Sequence, residues 1–340
     1  MKIKSLTAQE RDRWDEYVTS HPDATFFHLA AWRDVLENAY GHHCHYLYAE
    51  EEGKIQGILP LGHIQSRLFS NALISTPFCV YGGCVTHHAR ARECLEQAAS
   101  GLAEQLGVDY LEYRKLQPDD SGRYLKDLHV TFRKELDSDP EANLKAVPRK
   151  QRAMIRKGVK AGLKAVIDPD VERLYEVYAE SVRNLGTPVF PKPYFRLLKQ
   201  TFGDACEILM VEDQGVPVAG VMNFYFRDQV LPYYGGGTEA ARRLKANDFM
   251  YWEVMRRAVE KGVKIFDFGR SKKGTGSYRF KLHWGFEPQP LYYQFELITA
   301  SELPDINPLN PKYQLFIKAW QRLPLPLSKM IGPWLAQSLG

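Results

Sequence analysis

Two stretches of this chain, about 155 residues apart, follow one plan, and the repetition constrains the fold more than any single motif does. The first runs from His45 to Leu116. It has an apolar strand, Tyr46 to Ala49, a turn at Glu52-Gly53, a second strand from Gly57, then Tyr81-Gly82-Gly83, a helix around Ala91 to Leu106, and the run Gly107 to Arg114. The second runs from Glu207 to Arg270. It has a strand Ile208 to Val211, a turn at Asp213-Gln214-Gly215, a strand Ala219 to Phe226, then Tyr234-Gly235-Gly236, a helix from about Asn247 to Lys261, and the run Gly262 to Arg270. Each helix stops at a glycine able to take a left-handed conformation, and a strand follows at once. The succession predicts two α/β units of one fold with mixed sheets, related by internal duplication. At 340 residues, each half is long enough to bury its own core.

Charge sets the next division. The chain carries a formal +4, yet Lys145 to Lys164 holds eight basic residues and no acid, so the remainder sums to −4. Arg149, Arg152, Arg156, Lys160 and Lys164 recur at spacings of 3 or 4, with Ile155, Val159 and Leu163 on another stripe, as in an amphipathic helix started by Pro148. The expected organisation is a first unit over 1–140, a basic linking helix over 141–167, a second unit over 168–300 and a tail over 301–340. The basic face is open to two readings: a solvated surface, or a surface for phosphates in which Arg152 and Arg156 take part. Aromatic interleaving is missing, which argues against a single-strand platform. A second phosphate candidate is Gly235-Gly236-Gly237-Thr238 with Arg242, Arg243 and Lys245 ahead of the second helix; the alternative is a strand end whose cations face water. In that helix Asn247 reads as the N-cap, and Phe249, Trp252, Met255 and Val259 give the buried face.

Several function classes fall away. The five cysteines form no C-x-x-C pair, and the polar start from Met1 to Trp14 does not suit a secretory signal, so a reducing cytoplasm is expected. The uncharged stretch Leu68 to Ala89 contains Pro77, Gly82 and Gly83 and suits strands and turns rather than a bilayer helix. His42, His43, His45, His87 and His88 lack carboxylates at ligand spacing, and no metal is expected. There is no Gly-x-Ser-x-Gly elbow, and Gly274-Thr275-Gly276 is read as not leading into the helix of a phosphate-binding fingerprint.

The strand Ile265-Phe266-Asp267-Phe268-Gly269-Arg270 is followed by the loop Ser271 to Ser277, then Tyr278-Arg279-Phe280-Lys281 and Trp284-Gly285-Phe286. This run resembles the C-terminal signature of FemAB-like proteins, the peptidoglycan-bridge aminoacyltransferases and their relatives, which are built from two GNAT-type acyltransferase domains. The basic stretch Lys150 to Leu163 resembles the same family. Arg183-Asn184-Leu185-Gly186-Thr187-Pro188, Pro232-Tyr233-Tyr234-Gly235-Gly236 and Ala246-Asn247-Asp248-Phe249 are similar to the branch associated with the PEP-CTERM and exosortase system of exopolysaccharide producers. Two departures accompany the likeness. The loop Arg242-Arg243-Leu244-Lys245-Ala246-Asn247 lacks the glycine that lets coenzyme A approach the backbone, and long heptad helices are absent.

The resemblance implies tandem GNAT-like domains and N-acyl transfer, with aminoacyl-tRNA or acyl-CoA as donor and no tightly bound cofactor. The acceptor implied is an amine of a cell-envelope or exopolysaccharide precursor, a small molecule or a lipid-linked sugar. It also implies a site. Lys281 points at the reacting acyl group, where a cation can stabilise an oxyanion or a donor phosphate. Asp267 is a proton acceptor or amine anchor, or else an ion pair with Arg270 or Lys281 that orders the loop. Arg183, Asn184, Tyr234, Gly235, Gly236 and Tyr278 are candidate substrate contacts, and Tyr81, Glu112 and Arg114 hold the matching places in the first copy. From Ile306 onward there is no acid, and Lys312, Lys318, Arg322 and Lys329 mix with Leu315, Phe316, Trp320, Ile331 and Trp334. That tail suits either peripheral contact with the inner face of an anionic membrane or packing back over the second unit. A non-catalytic module recognising a glycolipid or RNA is the alternative to the enzyme.

Overall fold

Both copies fold as a strand, two helices, three antiparallel strands, a helix and a parallel strand. The structure, a computed structural model, describes residues 1–66, 71–119, 121–303 and 311–337, with the side chains of 311–313 excepted. Leu68, Ile306 and the Lys312 side chain, named above, lie outside the described residues. The first copy comprises β1 (Lys2–Ser5), α1 (Arg11–Ser20), α2 (Ala31–Tyr40), β2 (His43–Glu51), β3 (Lys54–Gln65), β4 (Asn71–Ser75), α3 (Ala89–Leu106), β5 (Tyr110–Lys115) and β6 (Tyr124–Lys126). After the short β7 (His129–Thr131) come β8 (Arg133–Glu135), α4 (Pro140–Ala146), α5 (Arg149–Lys160), β9 (Lys164–Asp168), α6 (Glu172–Leu185), α7 (Lys192–Phe202), β10 (Cys206–Asp213), β11 (Val216–Phe226) and β12 (Gln229–Gly237). They are followed by α8 (Glu239–Leu244), α9 (Ala246–Glu260), β13 (Ile265–Asp267), β14 (Ser271–Lys272), α10 (Gly276–His283), β15 (Gln289–Pro290), β16 (Tyr292–Leu297), α11 (Pro311–Gln321) and α12 (Leu325–Ala336).

The two sheets match strand for strand. Antiparallel pairs β1–β2, β2–β3 and β3–β4 lead to the parallel pair β4–β5, and β9–β10, β10–β11 and β11–β12 lead to the parallel pair β12–β13. The sixth position in each sheet comes from outside the repeat. β16 lies antiparallel to β5 in the first sheet, and β8 lies antiparallel to β13 in the second. Contacts therefore group Met1–His129 with Pro290–Ile306 and Gln337–Gly340, and Val130–Gln289 with Asn307–Ala336. This differs from the boundaries expected at 140, 168 and 300, because each unit completes its sheet with a strand that the other half of the sequence supplies.

The basic helix is likewise part of the second unit rather than a link. Gln151, Ile155 and Gly158 form its buried stripe and pack along α9; a Cβ at Gly158 would stand 2.7 Å from that of Phe249. It ends at Lys160, so Lys164 opens β9, and Val159 is exposed rather than buried. The start of α9 also departs from expectation. Residues 239–244 coil into α8, Lys245 takes a left-handed φ of 59° and serves as the N-cap, and Asn247 falls inside the first turn. Leu47, Leu61, Leu73, Leu95, Leu111 and Tyr113 centre one core; Ile155, Leu209, Val221, Phe249, Met255 and Phe266 centre the other. Among the described residues no helix is long and apolar enough to cross a membrane.

Candidate functional site

The parallel pair in the second sheet opens almost as soon as it forms. Only Gln229↔Ile265 and Val230↔Phe266 pair, after which β12 runs on to Gly237 while β13 stops at Asp267. Gly269, at φ 66°, turns the chain in a conformation that a Cβ would strain. The Asp267 carboxylate, 1% exposed, accepts the Gly269 N–H through Oδ1 at 2.8 Å, and Arg133 Nε lies 3.4 Å from Oδ2. The strand end and its turn are thus held as one piece.

Lys281 reaches this turn from α10. Its Nζ donates to the Gly269 and Arg270 carbonyls, each at 2.9 Å, and lies over the Phe132 ring at 5.5 Å and the Phe268 ring at 5.9 Å. Burial lowers the ammonium from its ordinary value to about 7, with Asp267 opposing the fall and Arg270 adding to it. An ammonium has three N–H groups. The two carbonyls take two, and among the described residues no partner takes the third. A cation held in this way can give one directed hydrogen bond to an incoming oxygen. The helix that presents it corrects an expectation: α10 does follow Gly274-Thr275-Gly276, with the Thr275 hydroxyl accepting the Tyr278 N–H at 3.4 Å. Its Tyr-Arg-Phe-Lys-Leu-His sequence has no helical period, so pattern alone does not reveal it. Tyr278 is half-buried with its ring edge-on to Phe132.

Beside this lies a buried network that the sequence did not mark. Asp248 accepts from Gln151 Nε2 of α5 and from Trp284 Nε1 at 3.2 Å, and burial lifts its carboxyl above the usual range. The signal in sequence was a single Asp in a helix first turn, which ordinarily means a dipole contact at the surface.

Other candidate residues are placed elsewhere. Tyr234 is buried and its hydroxyl bonds Tyr194 Oη at 2.8 Å within a cluster that includes Tyr178, Phe190 and Phe195. A Cβ at Gly235 would stand 3.1 Å from Tyr251 Oη of α9, and one at Gly236 2.5 Å from Ser181 Cβ of α6, so both glycines admit close packing of strand and helix. Arg183 and Asn184 form the last turn of α6 and bind the tail. Arg183 Nη1 donates to the Gln321 and Leu323 carbonyls at 3.4 and 3.5 Å, and the Asn184 carbonyl accepts Gln321 Nε2 at 3.1 Å. Gly186 ends the helix at φ 83°, as its position in sequence suggested, and Ile317 packs over it.

In the first unit, Glu112 and Arg114 are buried against each other, with Arg114 also donating to the Thr76 and Cys79 carbonyls at 3.2 and 2.8 Å. Tyr81 alone of that trio lines a cleft of about 160 Å³, together with Asp23, His28, Arg92 and Lys115. His21, Asp23 and His87 bring ligand-type atoms within 4.8 Å of one another. His21 Nδ1 already accepts the Asp23 N–H at 3.2 Å, and the His21 and His87 imidazoles stack at 3.8 Å.

The phosphate candidates sit on neighbouring helices. Arg156, Arg242 and Arg243 are exposed, Arg152 and Lys245 half-buried, and the charge of Lys245 acts on Asp248, which Gln151 holds. Arg152 donates to the Lys145 carbonyl at 3.2 Å. None of the five forms an ion pair among the described residues.

With this geometry in hand, comparisons place the fold. Residues 149–282 match the family described as Acetyltransferase (GNAT) domain. No curated protein matches the chain. The crystal structure of FemX is similar over 93% of this chain and 100% of that one, with 15% identity and a TM-score of 0.67. The C-terminal domain (DUF2156) of a putative lysylphosphatidylglycerol synthetase from Agrobacterium fabrum is similar over 85% and 92%, at 15% identity and a TM-score of 0.57. A tandem GNAT protein from the clavulanic acid biosynthesis pathway is similar over 88% and 99%, at 13% identity and a TM-score of 0.55. Residues 149–282 thus carry the sequence match to a GNAT domain, and the chain as a whole has a tandem GNAT-type α/β fold.

Proposed function

We propose that the protein is a FemAB-like N-acyltransferase that moves an aminoacyl or other acyl group from a phosphate-bearing carrier to an amine of a cell-envelope or exopolysaccharide precursor. The observation that carries this is Lys281: a buried cation, fixed by two carbonyls at the point where the second sheet opens, with one N–H unspent. The acceptor amine adds to the acyl carbonyl, a C–N bond forms, and the bond to the carrier oxygen or sulfur breaks. The proton lost by nitrogen leaves with the carrier hydroxyl or thiol. Lys281 donates to the carbonyl oxygen as negative charge grows on it. Asp267 acts as a positioning residue, since its carboxylate fixes the Gly269 turn whose carbonyls aim the lysine.

An RNA carrier is favoured over coenzyme A. In front of α9, residues 239–244 are coiled into α8 where a coenzyme A donor wants an open glycine loop, while α5 offers a row of exposed cations without ion-pair partners among the described residues. The test offers aminoacyl-tRNA and acetyl-CoA separately with amine acceptors, amino sugars and lipid-linked sugars included, and reads release of free carrier. Carrier release and N-acyl product in wild type, both lost in Lys281→Met, support the reading. Binding of a carrier with no turnover in any pairing would overturn it in favour of a recognition module.

A further inference from the structure

We propose that α11 and α12 form a docking face for an anionic lipid surface. In α12 the row Ser328, Gly332 and Ala336 is buried, and the row Pro326, Met330 and Trp334, two residues out of phase and so on the opposite side, is outward. An ordinary surface helix turns its bulky apolar residues inward. This one is inverted. Its small residues let it lie flush on the second unit, where a Cβ at Gly332 would stand 2.9 Å from the Val189 backbone nitrogen, while Met330 and Trp334 remain 71% and 60% exposed.

The preceding helix, α11, has an ordinary apolar inner side and yet also carries bulky apolar residues outward. Trp320 is buried and Ile317 covers Gly186, whereas Leu315 and Phe316 face outward. The polar ties from Arg183 and Asn184, together with Lys329 Nζ donating to Glu176 Oε2 at 2.6 Å and Ile317 over Gly186, hold the pair to α6 without using the outward Leu315, Phe316, Met330 and Trp334. Leu185, exposed between two residues that bind α11, extends the patch. Five of the eleven large hydrophobic residues exposed in the described structure therefore lie on the two helices that pack on α6 and at the end of α6 itself, and such concentration marks an interaction surface.

Charge selects the occupant. There is no acid from Ile306 to the end of the sequence, and Lys318 and Arg322 are exposed and form no ion pair among the described residues. Outward Leu, Phe, Met and Trp mixed with cations alone fit the headgroup layer of an anionic membrane. A water-facing helix would carry acids as well.

The test floats full-length protein with vesicles of phosphatidylcholine alone and of phosphatidylcholine mixed with phosphatidylglycerol. Wild type is expected to partition at least about tenfold more strongly into the anionic vesicles. The triple variant Leu315→Ser, Met330→Ser, Trp334→Ser should lose binding to both, and Lys318→Gln with Arg322→Gln should lose only the preference. Quenching of tryptophan fluorescence by brominated lipid, present in wild type and reduced in Trp334→Phe, reads insertion without relying on the triple variant. Equal recovery of all variants with vesicles, or no flotation of wild type, overturns the proposal. So does a wild-type dimer that becomes monomeric in the triple variant while no variant binds vesicles, since the face would then belong to a second copy.

Discussion

The two units share a topology and treat the same position of the sheet in opposite ways. The 155-residue offset that aligns the helix-ending glycines sets Glu112 against Asp267 and Arg114 against Gly269. In the first unit the strand continues past Arg114 to Lys115, the parallel pair runs through four residues, and Arg114 ties the carbonyls that follow β4 to Glu112. In the second unit a glycine stands where the arginine would be, the strand stops, and the pair runs through two. The carbonyls thereby freed receive Lys281. Buried charge follows the same contrast. Glu112, Arg114, Lys115 and Glu96 are all in salt bridges, whereas the second unit, beside its paired Asp168 and Asp267, also buries Lys281 on carbonyls and Asp248 on an amide and an indole. One copy has a sealed seam, and the other keeps an open seam with a cation at its end.

Breaking the sealed seam should have the largest effect. Glu112→Gln leaves the Arg114 guanidinium buried without its carboxylate and is expected to destabilise the protein by about 3–5 kcal/mol, while the double change Glu112→Leu, Arg114→Met should recover most of the loss. Urea unfolding checks both. Asp267→Asn retains an oxygen that can accept the Gly269 N–H and should cost less than half as much. Equal losses at the two positions would erase the contrast.

Lys281→Met comes next. Loss of the donor should reduce transfer by about 10²–10³-fold, the range for removing one oxyanion contact. The Tm should stay level or rise, because an ammonium whose acidity burial has increased is a liability to the fold. A large fall in Tm would make the lysine a structural brace.

The same group gives a pH signature with a definite sign. In the folded chain Lys281 releases its proton around pH 7, whereas unfolded it holds it to the ordinary 10.5. Between those values the unfolded state binds more protons, so stability from this group rises with pH across that window and is flat below it. Lys281→Met should lack that rise. Activity should run the other way and fall as pH climbs through about 7, since only the ammonium supports an oxyanion. A rate that increases through the same range would mean the neutral amine is the working form.

What was legible in the sequence was local. The hairpin turns at Glu52-Gly53 and Gln214-Gly215 and the stops at Gly107, Gly186 and Gly262 need positive φ, and they take it. What was not legible depends on which distant strand completes a sheet. β8 is three residues long, and nothing in Arg133-Lys134-Glu135 says that it will pair with β13 and bring Arg133 to Asp267. The exchange of β8 and β16 was hidden for the same reason. Arg183 and Asn184 show a different limit. They close a helix, as the spacing indicated, but the tail covering them comes from far along the chain.

The smallest expected effect bears on the basic face of the second unit, for which the first has no counterpart. Arg149, Arg156 and Lys160 project from α5 while its Gln151, Ile155 and Gly158 stripe is buried, so glutamine at all three should leave the core and the Tm unchanged within about 2 °C. Donor affinity should nonetheless weaken, by about tenfold at low salt, with the difference shrinking as salt is raised, because each contact to a phosphate releases a counterion. A shallower slope of log K against log salt in the triple variant ties the loss to phosphate contacts. If the slope is unchanged, the cations of α5 serve solubility alone, and recognition of the carrier falls to Arg242 and Arg243 of α8 and Lys245 at the start of α9.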